Sequence, residues 1–296
     1  MDSALTTIGL PVALGIIMLG LGLSLTPDDF RRVARHPRAV VVALGCQLLL
    51  LPVVCFGLVL AFDLEPLLAV GMMLLAASPG GTSANLYSHL FRGDVALNVS
   101  LTAINSILAI VTLPLVTNLA IAYFDLGNEV SLQFGKVVEV FVIVLAPVAL
   151  GMLVRSRATA FAERMDRPVR AASAFILLVL VVGILVDQRE DAADYLASVG
   201  VATVLFCVVS LVVGYVVPRV VGLSEGQAIA SSFEIGVHNA TLAIYVAVEV
   251  LDDTRISVPG AVYGLLMFPL AAVWGLLLTR VLLRQRAAGP GASRTS

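Results

Sequence analysis

Two ionisable side chains interrupt an apolar tract near the C-terminus. The stretch SSFEIGVHNATLAI, residues 231–244, carries Glu234 and His238, with Gly236 between them and Asn239 after them. A charged side chain at the centre of a bilayer costs about 2.5–3.5 kcal/mol even on the scale that gives the smallest penalties. If this tract crosses a membrane, Glu234 is a functional candidate, and its carboxylate needs a partner that neutralises it.

A second apolar tract is interrupted closer to the N-terminus, in the sequence SPGGTSAN at residues 78–85. Proline removes a backbone donor and clashes with the preceding turn, and paired glycines weaken a helix further. Broken backbone at membrane depth is tolerated where it lines a polar cavity or is buried in protein. The side chains that follow the break, Thr82, Ser83 and Asn85, favour a binding site over a kink packed through its glycines.

Further oxygen donors lie in neighbouring apolar tracts. Asn98 and Thr102 are spaced i, i+4 and so share one face of a helix, whereas Gln47 lies alone in an earlier tract. Carboxylate, amide and hydroxyl oxygens suit hard cations. One carboxylate among neutral oxygens fits a monovalent cation such as Na⁺, because the two charges cancel when the ion binds. This arrangement predicts coupling of transport to an ion.

The elements that position these side chains are predicted to be membrane helices. The chain of 296 residues is 59% hydrophobic and 13% charged, whereas a soluble domain carries about 25% charged residues. Apolar tracts of about 20 residues, the length that spans the hydrocarbon core, separate the charged segments. We predict nine spans, at about residues 4–25, 39–62, 66–90, 95–123, 133–154, 169–187, 197–218, 225–249 and 257–283.

Basic residues alternate between the connecting segments. Of the 18 Lys and Arg residues, 15 lie in the odd-numbered connections and the C-terminal tail. Basic loops favour the cytoplasmic side, so we expect a multi-pass protein of the cell membrane with its N-terminus outside and its C-terminus inside. The first span is interpreted as a retained helix, since a signal peptide carries its basic residues before the apolar core. Residues 285–296 are expected to form a disordered cytoplasmic tail.

The interrupted spans are the third and the eighth, and their odd separation means that they cross in opposite directions. Two Gly/Pro-interrupted spans of opposite orientation are typical of inverted-repeat secondary transporters. A channel is the rival interpretation, because broken helices also occur there, but a lone internal carboxylate favours a stoichiometric carrier. No enzyme and no catalytic residue are expected. A zinc protease needs paired histidines at helical spacing, and the three histidines, His36, His89 and His238, are far apart in sequence.

Four motifs in order along the chain resemble the bile acid:sodium symporter family: PGGTSAN (79–85), RGDVALNVSLT (92–102), EIGVHN (234–239) and SVPGAVYG (257–264). The likeness extends over nearly the whole chain. It implies an all-α, nine-helix form of an inverted-repeat transporter in which two broken helices cross. It also implies a core domain, residues 39–123 and 197–283, and a panel domain, residues 1–25 and 133–187. The nine-helix form is expected because the chain begins where the second of the family's ten helices would.

The resemblance also implies two sodium sites. At the first, Asn85, Thr102 and Glu234 match the family, and Asn98 still offers an oxygen where serine is common. Ala84, which stands where serine is usual, has lost a hydroxyl.

The second site would use Gln47, Glu234 and backbone oxygens near Ile235 and Val237, but His238 replaces the family's usual glutamine. An imidazole presents nitrogen rather than oxygen, so we expect Na⁺ at the first site and not at the second. Two alternatives remain for His238, whose ordinary pKa is near neutral. Protonated, it could act as a built-in cation beside Glu234 or couple transport to H⁺. Neutral, it could simply hydrogen-bond across the helix crossing.

The function implied by the resemblance is Na⁺-coupled import of a small organic anion by alternating access. The family's substrates are bile acids, pantothenate-like acids and keto acids. We expect the substrate cavity to involve side chains and backbone near both breaks and in the last span: Thr82, Ser83, Asn239, Pro259 and Gly260. The expected partners are the substrate and the lipid bilayer, with no nucleic acid, no metal beyond Na⁺, and a monomeric state.

Alternatives to Na⁺ coupling are an H⁺-coupled carrier that uses Glu234 and His238, and a carrier or channel like the arsenite exporters. Those exporters, by resemblance, rely on a membrane cysteine near the first break. Cys46, Cys55 and Cys207 all lie elsewhere, so this alternative is disfavoured.

Overall fold

The computed structural model describes residues 10–29, 31, 37–127, 134–187 and 192–287. These residues form helices, and no β-strand occurs among them. Their bounds are α1 Leu10–Ser24, α2 Pro37–Ala61, α3a Pro66–Ala77, α3b Thr82–Leu90, α4 Val95–Tyr123, α5 Phe134–Arg157, α6 Thr159–Asp187, α7 Ala192–Val220, α8a Glu225–Gly236, α8b Ala240–Tyr245 and α9 Thr254–Ala287. A π-helical turn, Val246–Val250, continues α8b.

The predicted spans agree with these helices within a few residues, with two differences. Helix α6 begins at Thr159, ten residues before the predicted span, because the basic segment before it is itself helical. Helix α9 continues to Ala287, so the first residues of the expected tail, 285–287, are helical. Residues 1–9 of the first span and residues 288–296 of the tail lie outside the described residues.

The distribution of polarity is that of a membrane protein. Among the described residues, four helices, α2, α4, α7 and α9, are long and apolar enough to cross a bilayer. Large apolar side chains such as Val41, Leu49 and Val53 point outward from α2 and are 68–71% exposed. Many polar side chains lie inside instead, Glu234 and His238 among them. This arrangement is stable only if the outer surface meets lipid rather than water.

Helix α2 contains a π-helical turn, Cys46–Leu50, at the position of Gln47. The backbone N–H of Leu51 bonds to the carbonyl of Cys46, five residues earlier. Pro52, the next residue, has no N–H to donate, which loosens the regular pattern of hydrogen bonds at this point. Single π turns in helices are frequent at functional sites, and this one places Gln47 in the interior, where it is 2% exposed.

The first break separates α3a from α3b. Ser78 has φ −70° and ψ 145°, an extended conformation, which is the conformation that a following proline favours. The chain stays extended through Gly81, with φ −84° and ψ 158°, and α3b begins at Thr82. The predicted interruption is confirmed.

The second break separates α8a from α8b. Val237 leaves the helical conformation after Gly236, with φ −118° and ψ 82°. The side chain of Asn239 then accepts a hydrogen bond from the backbone N–H of Leu242 at 3.1 Å and so caps α8b. Asparagine is among the residues most suited to this position, which explains why the helix restarts directly after it.

The two breaks meet and run antiparallel. Gly80 and His238 form an isolated antiparallel bridge. The N–H of Gly81 donates to the carbonyl of Val237 at 2.6 Å, and the N–H of Asn239 donates to the carbonyl of Pro79 at 2.8 Å. Each break therefore satisfies backbone groups that the other has freed from its helix, which is what allows unwound chain to lie in an apolar interior.

Contacts at the helix ends join odd-numbered connections to each other and even-numbered connections to each other. Arg38, in the first turn of α2 next to the first connection, donates to the carbonyl of Val221, which lies between α7 and α8a. Glu65, before α3a, lies 3.5 Å from Arg255 at the start of α9. The first connection therefore touches the seventh, and the second touches the eighth. This pairing agrees with the alternation of basic and acidic connections in the sequence.

Helices α1, α5 and α6 pack together as a group. A side chain at Gly22 of α1 would collide with the backbone carbonyl of Val148 in α5, and one at Gly151 would lie 2.6 Å from the carbonyl of Leu19. The glycines thus let the two backbones approach closely, as small residues do between membrane helices. These are the helices assigned to the panel in the sequence analysis.

Candidate functional site

The carboxylate of Glu234 lies at the meeting point of the breaks. Glu234 is two residues from the end of α8a and is 2% exposed. Its Oε2 accepts a hydrogen bond from the hydroxyl of Thr102 at 2.5 Å, whereas Oε1 has no partner among the described residues. A methyl group at Gly80 would collide with both carboxylate oxygens. The carboxylate therefore lies directly against the unwound backbone of the first break.

Helix α4 presents one polar face to this carboxylate. Asn98 and Thr102 are both fully buried, as their i, i+4 spacing predicted for a shared interior face. The Nδ2 of Asn98 donates to the carbonyl of Ala230 in α8a at 2.7 Å, which ties α4 to α8a. That bond leaves the Oδ1 of Asn98 unpaired among the described residues.

The remaining predicted ligand of the first site is Asn85 in α3b. It is 5% exposed, and its Oδ1 is buried with no hydrogen-bond partner among the described residues. An unsatisfied buried polar atom costs about 1–3 kcal/mol, so unpaired oxygens at Asn85, Asn98 and Glu234 need an explanation. No ion pair among the described residues reaches Glu234. Neutral amide oxygens around one carboxylate are the donor set that suits a hard monovalent cation.

Asn105 is a polar residue near this carboxylate that the sequence analysis did not single out. It is 1% exposed and lies next to Glu234. The signal for it was present in the sequence, because Asn98, Thr102 and Asn105 are spaced i, i+4, i+7 and so share one helix face. The spacing alone did not show that this face meets α8a.

The residues predicted for the second site form a different cluster. The Nε2 of Gln47 donates to the carbonyl of Ser78 at 3.0 Å, so Gln47 presents an N–H to the break. The Nδ1 of His238 lies 3.3 Å from the same carbonyl and 3.5 Å from the Nε2 of Gln47. The carbonyl of Val237 already accepts from the N–H of Gly81. Hydrogen bonds across the crossing thus occupy the amide N–H of Gln47 and the carbonyl of Val237, whereas the Oε1 of Gln47 is buried with no hydrogen-bond partner among the described residues.

The imidazole of His238 is held between aromatic rings. It stacks on Phe206, with ring centroids 5.4 Å apart, and meets the edge of Tyr263 at 5.3 Å. Its Nε2 is buried and has no hydrogen-bond partner among the described residues. The contact with Ser78 fits the neutral, hydrogen-bonding role, and the protonated role stays a prediction.

The five residues predicted for the substrate cavity lie in α3b, at the second break and in α9. Asn239 lies at the second break, where its Oδ1 caps α8b, and Ser83 is half-buried at the start of α3b. The nearest neighbours of Gly260 are residues of α8b, including Ile244, and Pro259 packs against Gly71 of α3a. The side chain of Thr82, at the start of α3b, lies outside the described residues.

An all-helical protein with an apolar exterior, whose interior polar groups gather where two antiparallel broken helices meet, has the architecture of a membrane transporter. The comparisons with known proteins agree. The Sodium Bile acid symporter family model matches residues 11–195, which is more than half of the chain. The chain therefore belongs to this family, whose members are transporters and not enzymes.

Three relatives illustrate the range of the family. A probable sodium/metabolite cotransporter of rice chloroplasts is 29% identical over 85% of this chain and 59% of the rice protein. An uncharacterized sodium-dependent transporter of Bacillus subtilis is 27% identical over 86% of this chain and 77% of its own length. The human ileal sodium/bile acid cotransporter is 26% identical over 79% of this chain and 67% of the human protein. The chain thus spans less than two thirds of the rice relative.

Proposed function

We propose that this protein is a sodium-coupled secondary transporter that imports a small organic anion by alternating access. The observation that carries the proposal is the buried carboxylate of Glu234, which lies against the first break where two antiparallel breaks meet and faces the polar side of α4 through Thr102. A cation that neutralises this carboxylate removes the cost of burying it, so ion binding and the conformation of the crossing are linked. The names of the relatives, which refer to sodium, bile acids and metabolites, support the same function.

The proposed mechanism uses one sodium ion, held by Asn85, Asn98, Thr102 and Glu234. The second site of the family is replaced by the hydrogen-bonded cluster of Gln47, the Ser78 carbonyl and His238. In this mechanism Ile235 and Val237 form part of the second break and do not bind a second ion. The organic anion binds beside the crossing, where α3b and α8b begin. Their N-termini carry partial positive charge that favours an anion.

The proposed architecture has nine membrane-spanning passages in the cell membrane, with the N-terminus outside and the C-terminus in the cytoplasm. Residues 39–123 and 197–283 form the core, and residues 1–25 and 133–187 form the panel against which the core moves. The packing of α1 on α5 and α6 supports the grouping of the panel helices. The antiparallel pairing of the breaks supports an inverted repeat. The proposed unit is a monomer.

The test is uptake into proteoliposomes that contain the purified chain. A bile acid, pantothenate and a keto acid are offered separately, with an inward gradient of NaCl or of choline chloride. We expect saturable uptake of at least one of these anions with sodium and none with choline. Equal uptake under both gradients would exclude sodium coupling, and uptake that does not saturate would favour a channel.

A second candidate, coupling to protons, is favoured by the buried and unpaired Nε2 of His238 close to the first break. The same vesicles test it with an inward proton gradient and no sodium. Uptake driven by the proton gradient alone would establish this candidate in place of the first. Inhibition of uptake by arsenite would support the exporter-like alternative.

A further inference from the structure

The amide of Asn105 in α4 is buried and unsatisfied. Asn105 is 1% exposed, and neither its Oδ1 nor its Nδ2 has a hydrogen-bond partner among the described residues. A buried amide normally finds at least one partner, since leaving it without any is costly. The side chain of Asn105 therefore needs a physical reason for its position.

The position of Asn105 points to the carboxylate of Glu234. It lies on the same face of α4 as Asn98 and Thr102, one turn beyond Thr102. It also lies next to Glu234, whose Oε2 is bonded to Thr102 and whose Oε1 is unpaired. An amide beside a carboxylate ordinarily donates an N–H to it. Here the side chain of Asn105 is within hydrogen-bonding range of the carboxylate, but no bond of ordinary geometry joins them, and the Oδ1 of Asn105 and the Oε1 of Glu234 have no partner among the described residues.

We propose that Asn105 is a further ligand of the cation site. It is not among the ligands that the resemblance to the family predicts. The inference rests on the proposed function, because it assigns a ligand to the same sodium ion. A hard cation between the Oδ1 of Asn105 and the Oε1 of Glu234 satisfies both oxygens at once. With Asn85, Asn98 and Thr102, the ion then has five side-chain ligands, all of them oxygen donors.

A merely structural role for Asn105 makes the opposite prediction. If the amide only supported the packing of α4, replacing it with an apolar side chain would lower stability by the same amount with and without sodium. If Asn105 is a ligand, an apolar replacement has two opposite effects. It stabilises the sodium-free protein by removing an unsatisfied amide, and it weakens sodium binding by removing a ligand. The two roles therefore differ in the sign of the effect without sodium and in the response to sodium.

The experiment measures thermal unfolding of the full chain in detergent as NaCl replaces KCl at constant ionic strength. Asn105→Leu has almost the same shape as asparagine and no polar atom. We expect this variant to be at least as stable as the wild type in KCl. We also expect it to need about tenfold more sodium for half of the stabilisation, which corresponds to about 1.4 kcal/mol. An unchanged sodium midpoint would overturn the assignment.

Thr117→Val is the matched control. Thr117 also lies in α4, is fully buried, and has an unpaired Oγ1 among the described residues, but it is twelve residues, or about 18 Å along the helix, from Asn105. Its sodium midpoint should equal that of the wild type. If Asn105→Leu does not fold, Asn105→Ala is measured instead, with the same expected shift of the midpoint and the same overturning result.

The failure of this inference and the failure of the proposed function are distinguishable. If sodium does not stabilise the wild type at all, sodium coupling itself is wrong. If sodium stabilises the wild type and Asn105→Leu equally, and only Glu234→Gln removes the effect, the cation site stands and Asn105 is not part of it.

Discussion

At the residue scale, we expect the response to ions to depend on the free-energy cost of burying the charged carboxylate of Glu234 and on the contacts that offset this cost. A buried carboxylate with no ion pair among the described residues pays a desolvation penalty of several kcal/mol. The hydrogen bond from Thr102 and the nearby Asn105 side chain and Gly80 backbone offset part of it. In the proposed mechanism a bound cation supplies the rest, so we expect the site to be least stable when it is ionised and empty of sodium.

Glu234→Gln tests this balance directly. The amide has almost the shape of the carboxyl group but carries no charge, so we expect the variant to be more stable than the wild type without sodium, by about 1–3 kcal/mol. We also expect it to gain no stability from sodium and to transport nothing. Thermal unfolding in KCl and in NaCl checks both parts. A variant that sodium still stabilises would show that the ion binds elsewhere.

We expect His238 to determine how many cations the crossing holds. His238→Gln places an amide oxygen where the ring nitrogen stands, and this oxygen is a better ligand for sodium. We expect uptake by the wild type to depend on sodium without cooperativity and uptake by the variant to become cooperative, because a second ion can bind. Initial rates of uptake over a range of sodium concentrations measure the difference.

The pH dependence of uptake separates the two roles of His238. If protonated His238 acts as a built-in cation, the pH dependence of wild-type uptake should disappear in His238→Gln. A wild type and a variant with the same sodium dependence and the same pH profile would leave only the neutral, hydrogen-bonding role.

At the scale of elements, the two breaks are a single structural unit. Each supplies the backbone partner that the other lacks, through the bonds from Gly81 to Val237 and from Asn239 to Pro79. Gly80 allows the carboxylate to lie against the first break, and Gly81 allows the carbonyl of His238 to approach within 3.0 Å of the position that a side chain would take. Neither helix could unwind here without the other.

Gly80→Ala should therefore abolish transport. The added methyl group would collide with the carboxylate of Glu234, so either the carboxylate or the break must move, and the cation site is lost. The matched control is Gly57→Ala in α2, where a methyl group meets no atom within 4 Å. We expect uptake near the wild-type rate for the control and the loss of sodium-dependent uptake for Gly80→Ala. Normal uptake by Gly80→Ala would contradict the observed contact.

At the scale of the whole molecule, the contacts at the helix ends divide the connections into two sets. Glu65 and Arg255 lie together in one set, and Arg38 and Val221 lie together in the other. The distribution of basic residues assigns the first set to the outside and the second to the cytoplasm. In the proposed mechanism, movement of the panel against the core would open the buried site to either side.

Single cysteines test the sidedness. The native cysteines, Cys46, Cys55 and Cys207, are free and buried, so they should contribute little background. In intact cells, a membrane-impermeant maleimide should label Glu65→Cys, because the proposed topology places that position outside. Val220→Cys, at a position that is 80% exposed, should be labelled only after the cells are opened. The reverse pattern would invert the proposed topology.

Much of the fold could be predicted from the sequence, because membrane helices satisfy their backbone hydrogen bonds locally. The apolar tracts placed the helices within a few residues, and the Pro-Gly-Gly sequence and the Gly236–Asn239 segment placed both breaks. The start of α6 was missed, because a charged segment such as that before Arg170 carries no apolar signal even when it is helical.

The composition and order of residues by themselves determined that this is a helical membrane protein with an ionisable group at a break and oxygen donors on one face of α4. Only the tertiary structure decided which groups meet: Gly80 against the carboxylate, Asn105 beside Glu234, and Gln47 with its N–H toward Ser78. The physical reason is that spacing along a helix specifies which residues share a face. Which residues that face meets depends on packing between helices, here between residues as near as 31 and as far as 132 positions apart in sequence.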